Sequence, residues 1–237
     1  MPAFPAIAPE RRPIATVDIV LLTLSEGTLR IGLQRRDREP YDGELALVGG
    51  YVRPEIDSDI EASAKRILRD KGRLEGLYLE QLRSFGGPAR DPRGWSISIA
   101  YLALVPEEVL QAAEAAGAPP FELIDPDRCP ALPFDHNLLI DAAMQRLRSK
   151  SSYSTLPAFL LPGQFTLPEL KAVYEKVMGT ALNDSAFRRK LMEMRILEEI
   201  DAKSIATSQR RRPAQMYRLS IRTCRSSTHK RLLGSYA

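Results

Sequence analysis

The 237-residue chain has little of what builds metal centres or disulfide cores: two cysteines, Cys129 and Cys224, and two histidines, His136 and His229. The cysteines lie far apart and lack the close spacing of metal-ligand motifs, so neither a zinc site nor a disulfide framework is expected. Neither histidine has a recognisable catalytic partner, and both read as structural or surface residues. No apolar run approaches the ~20 residues that span a bilayer, so no membrane segment is expected. The start, MPAFPAIAPERRP, is proline-rich without an apolar core; it reads as a loose arm over 1–14, not a signal peptide, and the protein is expected in the cytoplasm.

What is present is uneven charge. Residues 1–150 hold 19 Lys+Arg against 23 Asp+Glu, a net of −4, whereas 151–237 hold 15 against 7, a net of +8. A basic C-terminal part on a mildly acidic body points to nucleic acid met by that part, against the plainer reading of a solvated basic surface. The length suits one medium domain and one small one.

Val17–Leu24 and Leu29–Leu33 are β-prone runs broken at Ser25, Glu26 and Gly27, which predicts a hairpin; Leu45–Val48 continues the sheet into Gly49 and Gly50. Ser58-x-x-Glu61 has capping-box spacing and opens a helix with Ile60, Ala64, Ile67 and Leu68 on one face, leaving Arg66, Arg69 and Asp70 to fall away from it. Strands follow at Tyr78–Phe85 and Ser96–Val105 around a loop, then helices at Pro106–Ala116 and Asp135–Ser149. This order fits an α/β/α sandwich over 15–150.

After the polar joint KSSYST, a second pattern begins. Thr166-x-x-Glu169 is another capping box, followed by Leu170, Val173, Tyr174 and Val177 at helical spacing and a stop at Gly179. A short turn to Asn183 precedes a helix with Phe187, Leu191 and Met194 inward and Ser185, Arg188, Arg189 and Arg195 outward or lateral. Ile196–Ile200 and Gln215–Ile221 read as a ribbon whose tip carries Arg210, Arg211 and Arg212. A helix-turn-helix followed by a basic hairpin is a winged helix, expected over 151–225 with a basic tail over 226–237.

Residues 49–72, GGYVRPEIDSDIEASAKRILRDKG, combine a glycine pair, an acidic loop and a helix ending in glycine. The outline resembles the Nudix box, a glycine, five residues, a glutamate, seven residues, then R-E-x-x-E-E-x-G, which holds Mg²⁺ in nucleoside-diphosphate hydrolases. With Gly72 on the last glycine, Lys65 falls on the box arginine, Arg66 and Arg69 on two glutamates and Asp70 on the third. The upstream glutamate falls on Ile56 counting from Gly50, and a one-residue insertion brings Asp57 into line. Mg²⁺ needs oxygen ligands in near-octahedral array, and two guanidiniums repel it, so neither a metal site nor catalytic residues are expected. The same arginines suit a phosphate.

Three stretches in order, GGYVRP with the altered box, RDPRGWSISIAYLALVP, and FTLPELKAVYEKVMG with FRRKLMEMRILEEI and RRRPAQMYRL, are similar to NrtR, the Nudix-related transcriptional regulators of NAD biosynthesis. The resemblance spans almost the whole chain. It implies a homodimeric repressor on palindromic operator DNA, controlled by ADP-ribose, NAD or a related nucleotide as effector, with no cofactor required. The effector candidates are then Arg36, Gly49, Gly50, Arg53, Arg66, Arg69, Arg90, Asp91, Arg93 and Trp95, with Trp95 stacking on adenine. The DNA candidates are Thr166, Asn183, Ser185, Arg188, Arg189, Lys190, Arg210, Arg211, Arg212 and Gln215. Plainer readings stand beside these: Trp95 as core at a strand start, the glycines as a tight turn, the helix arginines as a wet face. An active hydrolase with an accessory DNA-binding domain is the competing function, and a DNA-binding protein without a ligand a third.

Overall fold

A computed structural model describes residues 12–152, 154–203 and 215–220, and of 201–203 the backbone alone. The expected wing tip Arg210–Arg212, the tail, Cys224, His229 and most of the N-terminal arm lie outside these residues.

The first domain is built on a seven-stranded sheet. Strand β1 (Ile14–Ser25) is central, pairing antiparallel with β2 (Thr28–Arg35) and parallel with β6 (Ser96–Leu104). Ile14, assigned above to the arm, belongs to this strand and faces Ser96. The β1–β2 turn is the expected hairpin, with Glu26 and Gly27 both at positive φ, 50° and 69°, the twist that suits a two-residue connection. Both faces of β1 are covered, which explains its unbroken apolar run. Val20 and Leu22 pack towards α3 (His136–Ser151), and Ile19 and Leu21 towards α1 (Ile60–Gly72) and α2 (Glu107–Ala115).

Three expectations need correction. The single strand at Leu45–Val48 is two short ones, β3 (Leu45–Ala46) against β2 and β4 (Val48–Tyr51) against the first half of β1. Gly49 and Gly50 therefore sit within a strand and not in a tight turn. Helix α1 is capped by Asp59, whose carboxylate accepts the Ala62 amide at 2.7 Å, and not by Ser58. β5 (Tyr78–Gly87) lies at the sheet edge beside β6, and β7 (Glu122–Ile124), too short to read from sequence, pairs with β2.

The second domain holds α4 (Leu167–Met178), α5 (Asp184–Met194), and the antiparallel pair β8 (Leu197–Lys203) and β9 (Gln215–Leu219). Phe165 adds a bridge to Tyr217, with reciprocal backbone hydrogen bonds of 3.0 and 2.8 Å. The joint between the domains is packed. Leu156 and Leu160, on a turn of 3₁₀ helix, and Val173 and Val177 of α4 belong to the same apolar cluster as Leu139, Ala143 and Leu147 of α3. The other face of α4, Leu170 and Tyr174, packs with Leu191, Ile196 and Tyr217. Each buried Leu, Val or Ile among them contributes roughly 1.5–3 kcal/mol, so α4 is clamped between two cores.

Candidate functional site

The loop before α1 folds back onto the helix through one ion pair. Asp57 accepts from Arg66 Nε at 2.6 Å and from its Nη2 at 2.8 Å, and Nη2 also donates to the Tyr51 carbonyl at 2.9 Å. The same carboxylate takes the Ser63 hydroxyl at 2.6 Å and the Arg53 amide at 2.8 Å. Arg66, helped by Ser63, holds the Asp57 carboxyl far below its ordinary range. The expected outward Arg66 is thus a correction: its side chain is 10% exposed, because the helix face it occupies is roofed by the 52–58 loop. Arg69 stays exposed, 3.3 Å from Asp70.

This arrangement does not fit the Mg²⁺ that the box outline implies. The one carboxylate aligned with the upstream glutamate is saturated by a guanidinium, and among the described residues no group of three metal-capable side chains converges. Asp70 stands on its own helix face beside two cations.

A second buried cluster lies under β4. Asp18 of β1 accepts from Arg90 Nη2 at 2.7 Å and from the Ser98 hydroxyl at 2.6 Å. Gly49 faces it across the strand pair, where a Cβ would stand 1.9 Å from the Asp18 oxygen, so this glycine serves an internal carboxylate. At Gly50 a Cβ would come within 3.2 Å of Ile67, a close approach to α1. His136 Nδ1 accepts the Leu47 amide at 3.2 Å, and its Nε2 stands 3.8 Å from Asp18. Burial pushes the imidazole down to about 4, so it is neutral near pH 7. Arg90 Nε lies 2.9 Å from the Asp135 carboxylate, but neither atom completes a hydrogen bond. Arg90 and Asp91, 8% and 2% exposed, are therefore internal, Asp91 gripping Arg93 at 2.6 Å.

The open face beside these clusters carries a different set. Trp95 is half-exposed, as is Tyr51, and the Arg93 guanidinium lies 5.4 Å over the Tyr51 ring and bonds its hydroxyl. Arg36 stands 5.0 Å over the Phe134 ring and donates to the Pro40 carbonyl at 2.7 Å. Burial and then the charge of Arg93 lower its pKa, while burial and then Arg38 and Arg36 lower that of Lys71. Cations that depress one another in a partly desolvated place favour an anion between them. Arg38, Lys71 and Tyr51 were not among the sequence candidates; the alternating charges of Arg36-Asp37-Arg38 and the aromatic directly after the glycine pair are the signals that point to two of them.

In the second domain, Thr166 is taken up by its capping box, its hydroxyl 2.9 Å from Glu169. Asn183 caps α5 by accepting the Ala186 amide at 3.0 Å. Lys190 reaches back to the Ser152 carbonyl at 2.8 Å, and the Gln215 amide donates to the Ile200 carbonyl at 2.7 Å. Ser185, Arg188 and Arg189 stand exposed along one side of α5, forming the basic strip expected of a recognition helix.

A Nudix-type domain with an altered box, joined through a shared core to a winged helix, defines a two-domain architecture. The chain belongs to the NrtR family. Its residues 157–219 match the NrtR DNA-binding winged helix domain. It is 37% identical over 214 residues, 88% of this chain and 83% of its relative, to the ADPR responsive transcriptional repressor NtrR of Acinetobacter baylyi. It superposes with a TM-score of 0.79 on Shewanella oneidensis NrtR crystallised with a 27mer DNA, at 34% identity, covering 87% of this chain and 93% of that one. An ADP-ribose pyrophosphatase of Methanocaldococcus jannaschii is 31% identical over 133 residues, 56% of this chain and 74% of the enzyme.

Proposed function

We propose that the protein is a cytoplasmic transcriptional repressor whose Nudix-like domain, about residues 15–150, binds ADP-ribose, NAD or a related nucleotide without hydrolysing it. The observation that carries this reading is the Asp57–Arg66 pair, a guanidinium clasped where hydrolysis needs metal-binding carboxylates. Arg36, Arg38, Lys71 and Arg93 would receive the pyrophosphate, and Trp95 or Tyr51 the adenine. Arg53 and Arg69 border the same loop and helix. The Acinetobacter relative, a repressor responsive to ADP-ribose by name, supports the choice of effector.

Two such winged helices in a homodimer would read a palindrome with half-sites about one turn, ~34 Å, apart, through Ser185, Arg188 and Arg189. Asn183 and Lys190 border that surface; Gln215 of the ribbon, and Arg210–Arg212, which lie outside the described residues, are the candidates for phosphate or the minor groove. Control follows from linkage. A nucleotide that prefers one domain geometry changes operator affinity, typically by ~1–3 kcal/mol or about 5- to 150-fold, and DNA changes nucleotide affinity equally.

The test is an electrophoretic shift with DNA from upstream of the protein's own gene, with and without ADP-ribose and NAD. A complex whose stability responds to one of them is expected, and one indifferent to both refutes the reading. The similarity to an ADP-ribose pyrophosphatase favours a second reading, an active hydrolase. Mg²⁺-dependent turnover of ADP-ribose at ordinary enzymatic rates, of order 1 s⁻¹ or faster, would establish it.

A further inference from the structure

The residues just before α3 depart from an ordinary helix start in two ways. Phe134 has φ of 59°, a left-handed backbone that a bulky side chain seldom adopts. Asp135 occupies the N-cap position, where an aspartate normally accepts a backbone amide of the first turn, yet it makes no capping hydrogen bond. Its carboxylate is turned to Arg90, with the unfulfilled 2.9 Å contact described above. Such conformations persist only where surroundings over-determine them, and they gather at switching sites.

The junction sits between the basic face, through Arg36, and the buried Asp18 cluster, through His136 and Arg90. Arg36 lies over the Phe134 ring, Tyr41 meets that ring edge-on at 5.1 Å, and His136 lies 5.2 Å from it. Arg90, which faces Asp135, also holds Asp18. Behind the junction α3 is one unbroken helix, and its residues Leu139, Ala143 and Leu147 share a packed core with Val173 and Val177 of α4. Close-packed cores do not absorb displacement smoothly; they pass it on.

We propose that Phe134 and Asp135 are positioning residues that report occupancy of the basic face to the winged helix: an anion drawing Arg36 from the Phe134 ring releases the junction, and α3 carries the change into the core shared with α4. Arg36 is the link because a phosphate offers it charge-assisted hydrogen bonds, stronger than a cation–π contact at a partly exposed ring. The inference rests on the effector reading above and adds how the site is read.

The experiment uses full-length protein and compares wild type with Phe134→Leu, Asp135→Asn and Phe134→Tyr. Calorimetry measures ADP-ribose binding, and fluorescence anisotropy measures operator affinity with and without saturating ADP-ribose. In wild type the two operator affinities should differ about tenfold or more. In Phe134→Leu and Asp135→Asn that ratio should fall towards one, while ADP-ribose binding and nucleotide-free operator binding stay within about threefold of wild type; Phe134→Tyr should keep the ratio. Residues with a merely structural role would lower the melting temperature and leave the ratio intact, and that result in both variants overturns the proposal. Loss of ADP-ribose binding itself would make them ligand contacts and overturns it too. Should Phe134→Leu fail to fold, Asp135→Asn decides by the same criteria. An unresponsive wild type defeats the effector reading and this inference with it, whereas a responsive wild type with unaltered variants defeats the inference alone.

Discussion

In the Nudix-like domain, Arg66 and Arg90 each face a carboxylate of their own chain, Asp57 at 2.6 Å and Asp18 at 2.7 Å. On α5, Arg188 and Arg189 lie in solvent, with Arg189 meeting Glu193 at 4.0 Å. One residue type serves opposite ends. A buried guanidinium must be paired, and once paired it fixes loops and strands; an exposed one keeps its donors for a phosphate or a base edge. The comparison separates arginines that hold the sensor together from arginines offered to a partner.

The comparison breaks most visibly at Arg90. Replacing it by alanine leaves the buried Asp18 and the partly buried Asp135 beside one another without their cation, and the expected cost is about 3–5 kcal/mol, read by chemical denaturation. A loss below about 1 kcal/mol would mean that the cluster is wetter than it looks.

Acid should strike the same domain. The folded imidazole of His136 titrates at about 4 and the free one at 6.5, so its contribution is fully present above pH 6.5 and is lost as pH falls towards 4. The shift corresponds to roughly 3 kcal/mol. Melting curves across that interval should slope steeply in wild type and less so in His136→Asn; parallel slopes would remove His136 as the cause.

On α5 the expectations reverse. Arg188→Ala and Arg189→Ala should each weaken operator binding by about 1–3 kcal/mol, while unfolding free energy moves by no more than about 0.5 kcal/mol. Unchanged operator affinity would return both side chains to the category of a wet helix face. The smallest effect belongs to Asn183→Ala, which removes the α5 cap and should cost about 1 kcal/mol of stability. A change confined to DNA binding would instead make Asn183 a contact.

The sheet and its helices were legible because each obeys a short-range rule: β1 as a continuous apolar run, α4 from Thr166 to Gly179 by its capping box and stop. β7 was not, since three residues carry no period, nor was the split of β3 from β4, which depends on two different partners. Of the candidate residues, Trp95 and Arg93 are exposed, as a Gly/Pro-punctuated loop leads one to expect. Lys71 and Arg38 were not among the candidates because convergence of charge from α1 and the loop after β2 is a property of the packed domain. Arg66 and Arg90 were read as free cations because their partners stand 9 and 72 positions away.

By itself the sequence settled the replacement of acidic by basic residues in the box, the two-domain order and the basic α5, all of them matters of residue identity and local periodicity. Only the tertiary structure decided which of those charges are neutralised internally, which way Asp135 turns, and that α4 is shared between two cores. Pairing and burial depend on what folding brings within a few ångströms, and separation along the chain does not reveal it.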